Sequence, residues 1–390
     1  MAPTMAKIHS SAAQGRANQG MICSRILLTI LMILLTGCSS LPLKKARRAF
    51  YGGDPAQADL ILNDCKKVSP RDQLLCHMEK GVILHDLGAY EKSTGVLLES
   101  ARLIKAQEQI SIREQSSAVL LNDNVTTYKG EYCEQLWVHT FLMMNFLLQH
   151  KNESALVEAK QALEVFDRYP VSLENDYFTR ALIALCYENM NLWDDVRIEY
   201  DKLYRAMGQK PEMPVLAEPG TGELVLFVGQ GLIPPKVSTN IILPPSIRIS
   251  VPRYKAPSEA PPLVIRSDGQ ILAPLTRSTS MGAVAEKSLE QRSAAILSRQ
   301  VLRVGAKEAI AQQFGKENEF LEDAARIILF LLEEADTRSW ELLPGRLLLV
   351  RIQLDAGVHN LEISSGFSKT IGLNDLNIIE GTRVYRSLRF

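Results

Sequence analysis

The residues in this chain that could do chemistry are few and scattered. Six histidines, His9, His77, His85, His139, His150 and His359, are spread over the sequence. None falls in an HExxH or HxH pattern, and none stands at ligand spacing from a cysteine or carboxylate, so a metal-hydrolytic site has no support. A lone histidine on a helix is more often a packed or surface residue than a base. There is no G-x-S-x-G elbow and no GxxxxGK[ST] loop. Gly229-Gln230-Gly231 starts like a nucleotide fingerprint, but a third glycine is missing and Pro234-Pro235 follows. The carboxylate pairs Asp194-Asp195 and Glu333-Glu334 are adjacent, so on a helix they point in different directions and read as wet faces. The expectation is no catalytic residue, no metal, no cofactor, no nucleotide and no enzyme.

Cysteine carries the one strong local signal. Arg25 leads into the apolar run Ile26 to Leu35, which ends in Thr36-Gly37-Cys38. A basic flank, a short apolar core and small residues at its end make residues 1–37 a secretory signal peptide, and the core is too short for a span of about 20 residues. Leu35-Thr36-Gly37-Cys38 resembles the bacterial lipobox, whose cysteine receives a diacylglycerol and becomes the mature N-terminus. That resemblance implies lipidation at Cys38 and a lipid-anchored tether over 38–45, and Ser39 in the next position implies the outer membrane. Two or three acyl chains, at about 0.8 kcal/mol per buried methylene, make such an anchor permanent. Met21 is an alternative start. The basic cluster Lys44-Lys45-Ala46-Arg47-Arg48 either touches anionic headgroups or forms a solvated helix face. Cys65, Cys76, Cys133 and Cys186 are the possible disulfide cysteines of an exported chain, with three pairings open; Cys65 to Cys76 would link successive helices near a turn, and buried thiols are the other reading.

Lys plus Arg is 44 and Asp plus Glu is 44, so no net field draws the chain to nucleic acid. What remains is pattern. In Glu79 to Ser100, small and large residues alternate at helical spacing around Leu87-Gly88-Ala89-Tyr90, predicting two antiparallel helices joined at a glycine. Positions equivalent to Tyr90 recur at Pro55, Asn152 and Trp193, spaced 35, 62 and 41 residues apart. Small residues open each second helix (Ala58, Ser93, Ala155, Val196), with Leu62, Leu97, Ala159 and Tyr200 one turn on. Gly81, Met143 and Ala184 share one contact position before the turns. This resembles the tetratricopeptide (TPR) repeat, whose period is about 34 residues and whose helix pairs bury their apolar faces by stacking. Trp137, Phe141, Phe146, Phe178, Tyr187 and Trp193 read as packing between helices.

The 62-residue interval holds the recognition candidate. Ile104 to Leu121 reads as an extended helix ended by Asn122-Asp123-Asn124, and Val125 to Glu131 crosses to the next helix. Polar insertions in solenoids collect on one face, often the binding face, which makes Asn122, Asp123, Tyr128, Lys129 and Glu131 a candidate binding loop; a capping turn with surface charges is the plainer reading. Leu121-Asn122-Asp123, Tyr128-Lys129-Gly130-Glu131 and Val157-Glu158-Ala159 are similar to a bacterial group of TPR-like lipoproteins. The similarity continues through Gly222 to Val228 and Ala335 to Pro344. Gln149-His150-Lys151-Asn152 departs from it, standing where a glycine turn is usual. The resemblance implies architecture and location, and it offers no activity.

After residue 210 the character changes. Eleven of the 18 prolines lie between Pro211 and Pro262, among short β-branched runs at Glu223–Val228, Thr239–Leu243, Ser246–Val251 and Leu263–Arg266, which predicts a small irregular β module. Asp268-Gly269 marks a hairpin. Helical pattern returns over 281–340, with Leu297, Val301 and Val304 on one face and a second helix at Phe320–Glu334. Strands close the chain at Arg346–Leu354, Asn360–Ser364 and Thr382–Phe390, the first with one covered and one wet face. Trp340 is a buried cap or an exposed anchor.

The sequence thus predicts an α+β chain: an N-terminal TPR-like α-solenoid over 46–210, then a mixed C-terminal β/α module made of a Pro-rich short-strand region (211–280), a helical segment (281–340) and C-terminal β-strands (341–390). The expected role is a lipid-anchored, periplasm-facing scaffold at the bacterial cell envelope. Its partners would be the membrane, through its acyl chains, and another envelope protein gripped as an extended segment; nucleic acid is not expected. The alternative is an envelope enzyme or enzyme regulator, with Asp336, Arg338 and Trp340 converging on Tyr128–Glu131.

Overall fold

The computed structural model describes residues 41–111, 126–209, 218–243, 247–267, 269–315, 323, 326–327, 330, 334–366 and 369–390. The expected signal peptide, Cys38, Asn122, Asp123, Asp268 and most of the helix expected over Phe320–Glu334 lie outside the described residues, as does the helix expected beyond Ser111. No helix among the described residues is long and apolar enough to cross a membrane.

Helices come first: α1 (Leu41–Tyr51), α2 (Pro55–Ile61), α3 (Gln73–Asp86), α4 (Tyr90–Ser111), α5 (Tyr132–Leu148), α6 (Asn152–Arg168), the single turn α7 (Pro170–Leu173), α8 (Tyr177–Asn189) and α9 (Trp193–Ala206). Their second members begin at Pro55, Tyr90, Asn152 and Trp193, the four positions singled out by pattern. One turn geometry explains the phase. The residue two before each start is left-handed: Gly53 (φ 83), Gly88 (φ 73), His150 (φ 57) and Asn191 (φ 56). In each case the next N–H reaches back five residues, from Asp54 to Ala49, Ala89 to Leu84, Lys151 to Phe146 and Leu192 to Tyr187, at 2.8–3.1 Å. That bond satisfies a carbonyl the ending helix leaves open. The 149–152 turn therefore keeps the geometry without the glycine.

Close helix contact needs small residues at the crossings. A Cβ on Gly81 would lie 2.4 Å from Leu97 Cδ2, and Ser93 Oγ donates to the Gly81 carbonyl at 2.7 Å. Helix α5 is buried nearly all round, from Cys133 to Leu147, as expected of a helix apolar on every side. Of the aromatic residues assigned to packing, Trp193 is the exception, at 42 % exposed. It is the first residue of α9.

Among the described residues ten strands follow: β1 (Thr221–Gln230), β2 (Lys236–Leu243), β3 (Ile247–Tyr254), β4 (Leu263–Ser267), β5 (Gln270–Leu272), β6 (Leu275–Ser280), β7 (Arg346–Asp355), β8 (Gly357–Ser365), β9 (Lys369–Ile378) and β10 (Arg383–Arg389), with α10 (Met281–Gly315) between β6 and β7. They form a sheet in the order β10-β1-β7-β6, a second in the order β5-β4-β8-β9, and a separate β2–β3 hairpin. Strands of the 221–280 stretch thus interleave with those after 345. In the first sheet β1 runs parallel to β10 (Leu224 opposite Val384) and antiparallel to β7 (Leu226 opposite Val350). One face of this central sheet packs on the helices through Val225, Phe227, Leu349 and Tyr385. The other meets the second sheet through Leu224, Leu226, Val350, Ile352, Ile363 and Ile378.

One sequence expectation fails here, and one apolar face turns out to be the outer one, for the same reason. Strand β7 has no wet face, because both sides of the sheet it joins are covered. On α10 the buried face is Val284, Ala285 and Leu289, continued by Gln300, Arg303 and Ala311, while Leu297 (43 %) and Val301 (62 %) face outward. In both elements tertiary neighbours, not the local pattern, select the covered side.

Candidate functional site: an occupied inner face and an open outer groove

The first helices of the hairpins, α3, α5 and α8, present one face to the rest of the chain, and that face is taken. Across it runs the extended stretch before β7. Glu79 on α3 accepts the backbone N–H of Glu341 (3.1 Å) and of Leu342 (3.2 Å), and Glu134 on α5 accepts that of Trp340 (2.7 Å). Arg47 on α1 binds Glu79 (2.8 Å), the Glu341 carboxylate (2.6 Å) and the Ser339 carbonyl (2.8 Å). Trp340 is fully buried, with its ring 5.7 Å from that of Phe141. This is how a helical array grips an extended peptide, by carboxylates on main-chain donors and an aromatic anchor. The peptide is the chain's own.

Tyr128 and Glu131 of the expected binding loop belong to the same joint, while its Asn122 and Asp123 lie outside the described residues. Tyr128 (3 % exposed) and Glu131 (4 %) are buried, so neither is available to a partner; Lys129 is exposed. The Tyr128 hydroxyl donates to Glu134, and Glu131 pairs with Lys236 (2.6 Å) and Arg292. The crossing segment is pinned down because a buried carboxylate pair recruits cations from β2 and α10. Asp336, Arg338 and Trp340 do converge on it. Arg338 binds Asp336 (2.8 Å), Asp72 (2.9 Å) and the Thr126 carbonyl (3.0 Å), and lies over the Tyr128 ring. All these charges hold one another.

Charge state follows environment. Burial raises Glu79 to about 7 despite Arg47, and burial with the neighbouring Glu131 raises Glu134. Burial also acts to raise Glu131, but Lys236 and Arg292 outweigh it and hold that carboxyl at about 2. A second joint ties α8 to the central sheet. Arg351 on β7 reaches Glu188 with two bonds of 2.8 Å and Glu223 at 2.5 Å, and Arg383 on β10 binds the same two carboxylates at 2.5 and 2.7 Å. Sequence reasoning anticipated the convergence of Asp336, Arg338 and Trp340 on the first joint but missed the second, whose members are up to 195 residues apart; unpaired charges inside otherwise apolar strands, at Glu223 and Arg351, were the available signal.

A third joint has the form of a relay. His85 Nε2 is 2.7 Å from Ser387 Oγ on β10, and Nδ1 is 2.6 Å from Asn145 Oδ1 on α5. Asn145 donates through Nδ2 to Ser93, so its oxygen faces the ring, Nδ1 carries the proton and Nε2 accepts from Ser387. Burial lowers the His85 pKa, and the ring is 3 % exposed. It functions as a neutral polar pin between helices and strand.

Cys65 and Cys76 form a disulfide that ties the turn at Cys65–Lys67 to α3. Cys133 and Cys186 are buried thiols, both pushed up by burial and so unreactive.

The second helices face outward and leave a groove. Helices α4 and α6 form its walls and α5 its floor, with a cavity of about 220 Å³. His139 and Gln135 lie on the floor, the former 2.7 Å from Glu158 of α6. Arg102 and Lys105 stand on one wall, and an Arg168–Glu108 pair bridges the walls. Gln135 is 8 % exposed and its Oε1 accepts no hydrogen bond among the described residues. Leu98 (42 %) and Val157 (59 %) are exposed on the walls a turn from the lining residues. Among the described residues no Ser, Thr or Cys lines the cavity.

No family model and no curated protein matches the chain. A solved structure of MamA AMB-1 overlays on 44 % of this chain and 73 % of its own length, at 15 % identity and a TM-score of 0.28. The hairpin array itself rests on its four repeated turns. The chain is an α+β protein, a TPR-like helical array followed by interleaved sheets that occupy the array's inner face.

Proposed function

We propose that this protein is a lipid-anchored scaffold of the bacterial cell envelope, facing the periplasm from the outer membrane, that binds another envelope protein and catalyses no reaction itself. The location is supported by the basic flank, apolar run and Leu35–Cys38 motif, and by the Cys65–Cys76 disulfide, a bond of oxidising compartments. One observation carries the binding mode: the inner face that would hold a foreign peptide holds residues 339–342 of the same chain. A partner is therefore met on the outer groove between α4 and α6, which combines exposed Leu98 and Val157 with a polar floor whose Gln135 acceptor is unsatisfied among the described residues. The alternative, an enzyme or regulator with its site between the two halves, would use Asp336, Arg338 and Glu131, which are already paired.

The test places a photo-crosslinking residue at Leu98 or Val157 in cells, with Ile271 (67 % exposed, on β5) as control. The expected result is one common adduct from the first two positions, lost on Gln135→Leu, and none from the third. Absence of that adduct overturns the groove assignment, and mass spectrometry finding Cys38 unmodified with its leader attached overturns the location.

A further inference from the structure

A further cavity lies at the open edge of the two packed sheets, away from every joint described above. Its volume is about 280 Å³, and its origin is local. The sheets meet through aliphatic side chains over most of their length, but the edge strand β6 turns Thr276 and Ser278 toward the gap, and the facing edge strand β5 is three residues long. Two small hydroxyl residues and a truncated strand leave space that the close packing of the neighbouring core does not allow.

The lining has two chemistries. Leu263, Ile265 and Leu272 from one sheet and Leu348 from the other make an aliphatic wall. Arg346, the first residue of β7, lies opposite Ser280 of β6 and also lines the cavity. Most arginines around the central sheet are neutralised: Arg351 and Arg383 by Glu188 and Glu223, Arg338 by Asp72 and Asp336. The Arg346 side chain has no hydrogen bond and no ion pair among the described residues, and it is half-buried. An arginine beside an apolar hollow, with the Ser278 hydroxyl next to it, has the chemistry of a site for an anion carrying an apolar tail.

We propose that this cavity binds a small monocarboxylate with an aliphatic tail, a medium-chain acyl acid. The carboxylate meets the Arg346 guanidinium as a charge-assisted pair and accepts from Ser278, while the tail replaces empty space between Ile265, Leu272 and Leu348. Tail burial removes apolar surface from water, and the cation at the mouth selects the charged head over an alcohol of equal length.

Isothermal titration of the full chain with octanoate and with octanol tests the assignment. Octanoate binds one to one and saturably, and octanol binds about 10- to 100-fold more weakly, as loss of a charged hydrogen bond requires. Arg346→Met weakens octanoate by a similar factor and leaves octanol unchanged, whereas Arg346→Lys retains part of the difference. Ser278→Leu fills the hollow from another strand and abolishes binding of both ligands, with Tm unchanged or raised. No saturable octanoate binding, or equal affinity in the parent and in both Arg346→Met and Ser278→Leu, overturns the proposal. Tighter binding of a peptide with a C-terminal leucine than of octanoate overturns the acyl assignment in favour of a chain terminus.

Discussion

The central sheet is covered on both sides, and the two covers are built from different chemistry. Toward the second sheet it offers Leu224, Leu226, Val228, Leu348, Val350 and Ile352, with hardly a polar group. Toward the helices the same strands carry Glu223, Arg351 and Arg383 among Val225, Phe227 and Tyr385. Aliphatic contact is strong and tolerant of small slips. A buried two-by-two cluster of arginine and glutamate contributes little net stability, since desolvation offsets the Coulomb gain, yet it accepts only one arrangement. The difference teaches that the sandwich supplies cohesion, while the ionic joints fix how the sheet sits on the array. Wrong placement would leave charge unpaired in a dry interface, and Glu188 of α8 has no other cation to meet among its hydrogen-bonded neighbours.

Breaking the ionic cover from one side should give the largest effect. Arg351→Met leaves Glu188 and Glu223 buried with Arg383 alone and should cost about 3–5 kcal/mol in equilibrium urea unfolding; a loss below about 1 kcal/mol would erase the distinction between the covers. Exchanging all four charges for Leu and Met should recover most of that stability, while circular dichroism and crosslinking report a looser seat on the helices. On the aliphatic side, Leu226→Ala, at a fully buried position, should cost about 2–5 kcal/mol. The loss should be the same at low and high salt; salt dependence would mean the two covers are coupled.

Titration sharpens the contrast next. Glu131 has its folded pKa near 2, below the usual 4.5, so its contribution is present above 4.5 and is lost as pH falls from there toward 2. Glu131→Gln should flatten the acid limb of stability against pH, whose slope from this group is at most about 1.4 kcal/mol per pH unit. Glu79 has the opposite sign. Its folded pKa of about 7 lies above 4.5, so its protonated form is favoured in the fold and stability declines as pH climbs from 4.5 to 7. Glu79→Gln should remove that decline, and Leu226→Ala should move neither limb. The smallest effect concerns the turns: Asn191→Gly relieves a left-handed residue (φ 56) and should add about 0.5–1 kcal/mol, read as a rise in Tm.

The helical half was legible because its determinants are local. The turn that positions Tyr90 needs only a left-handed residue and a backward hydrogen bond, so the second-helix starts at Pro55, Asn152 and Trp193 could be found by spacing alone. The sheets were half legible. Strands at Glu223, Leu263 and Arg346 stood out as β-branched or aliphatic runs, but β9, with Gly372, Asn374 and Asp375, carries little strand propensity and was missed. The parallel pairing of β1 with β10 joins residues 160 apart (Glu223 with Arg383), and no local pattern encodes such a pairing. Two members of the candidate loop were out of reach of the sequence for the same reason. Tyr128 and Glu131 look like polar surface until Glu134, Lys236 and Arg292 are brought around them.

By itself the sequence determined the hairpin array, its register of turns and the α-then-β order. Each of these follows from backbone preference or from periodicity within a few turns of chain. Only the tertiary structure decided that the array's inner face is filled by residues 339–342, that β7 has no wet side and that Arg346 stands without a counter-ion among the described residues. Burial and charge pairing are properties of neighbours distant in sequence, and a residue's type does not say which neighbours will arrive.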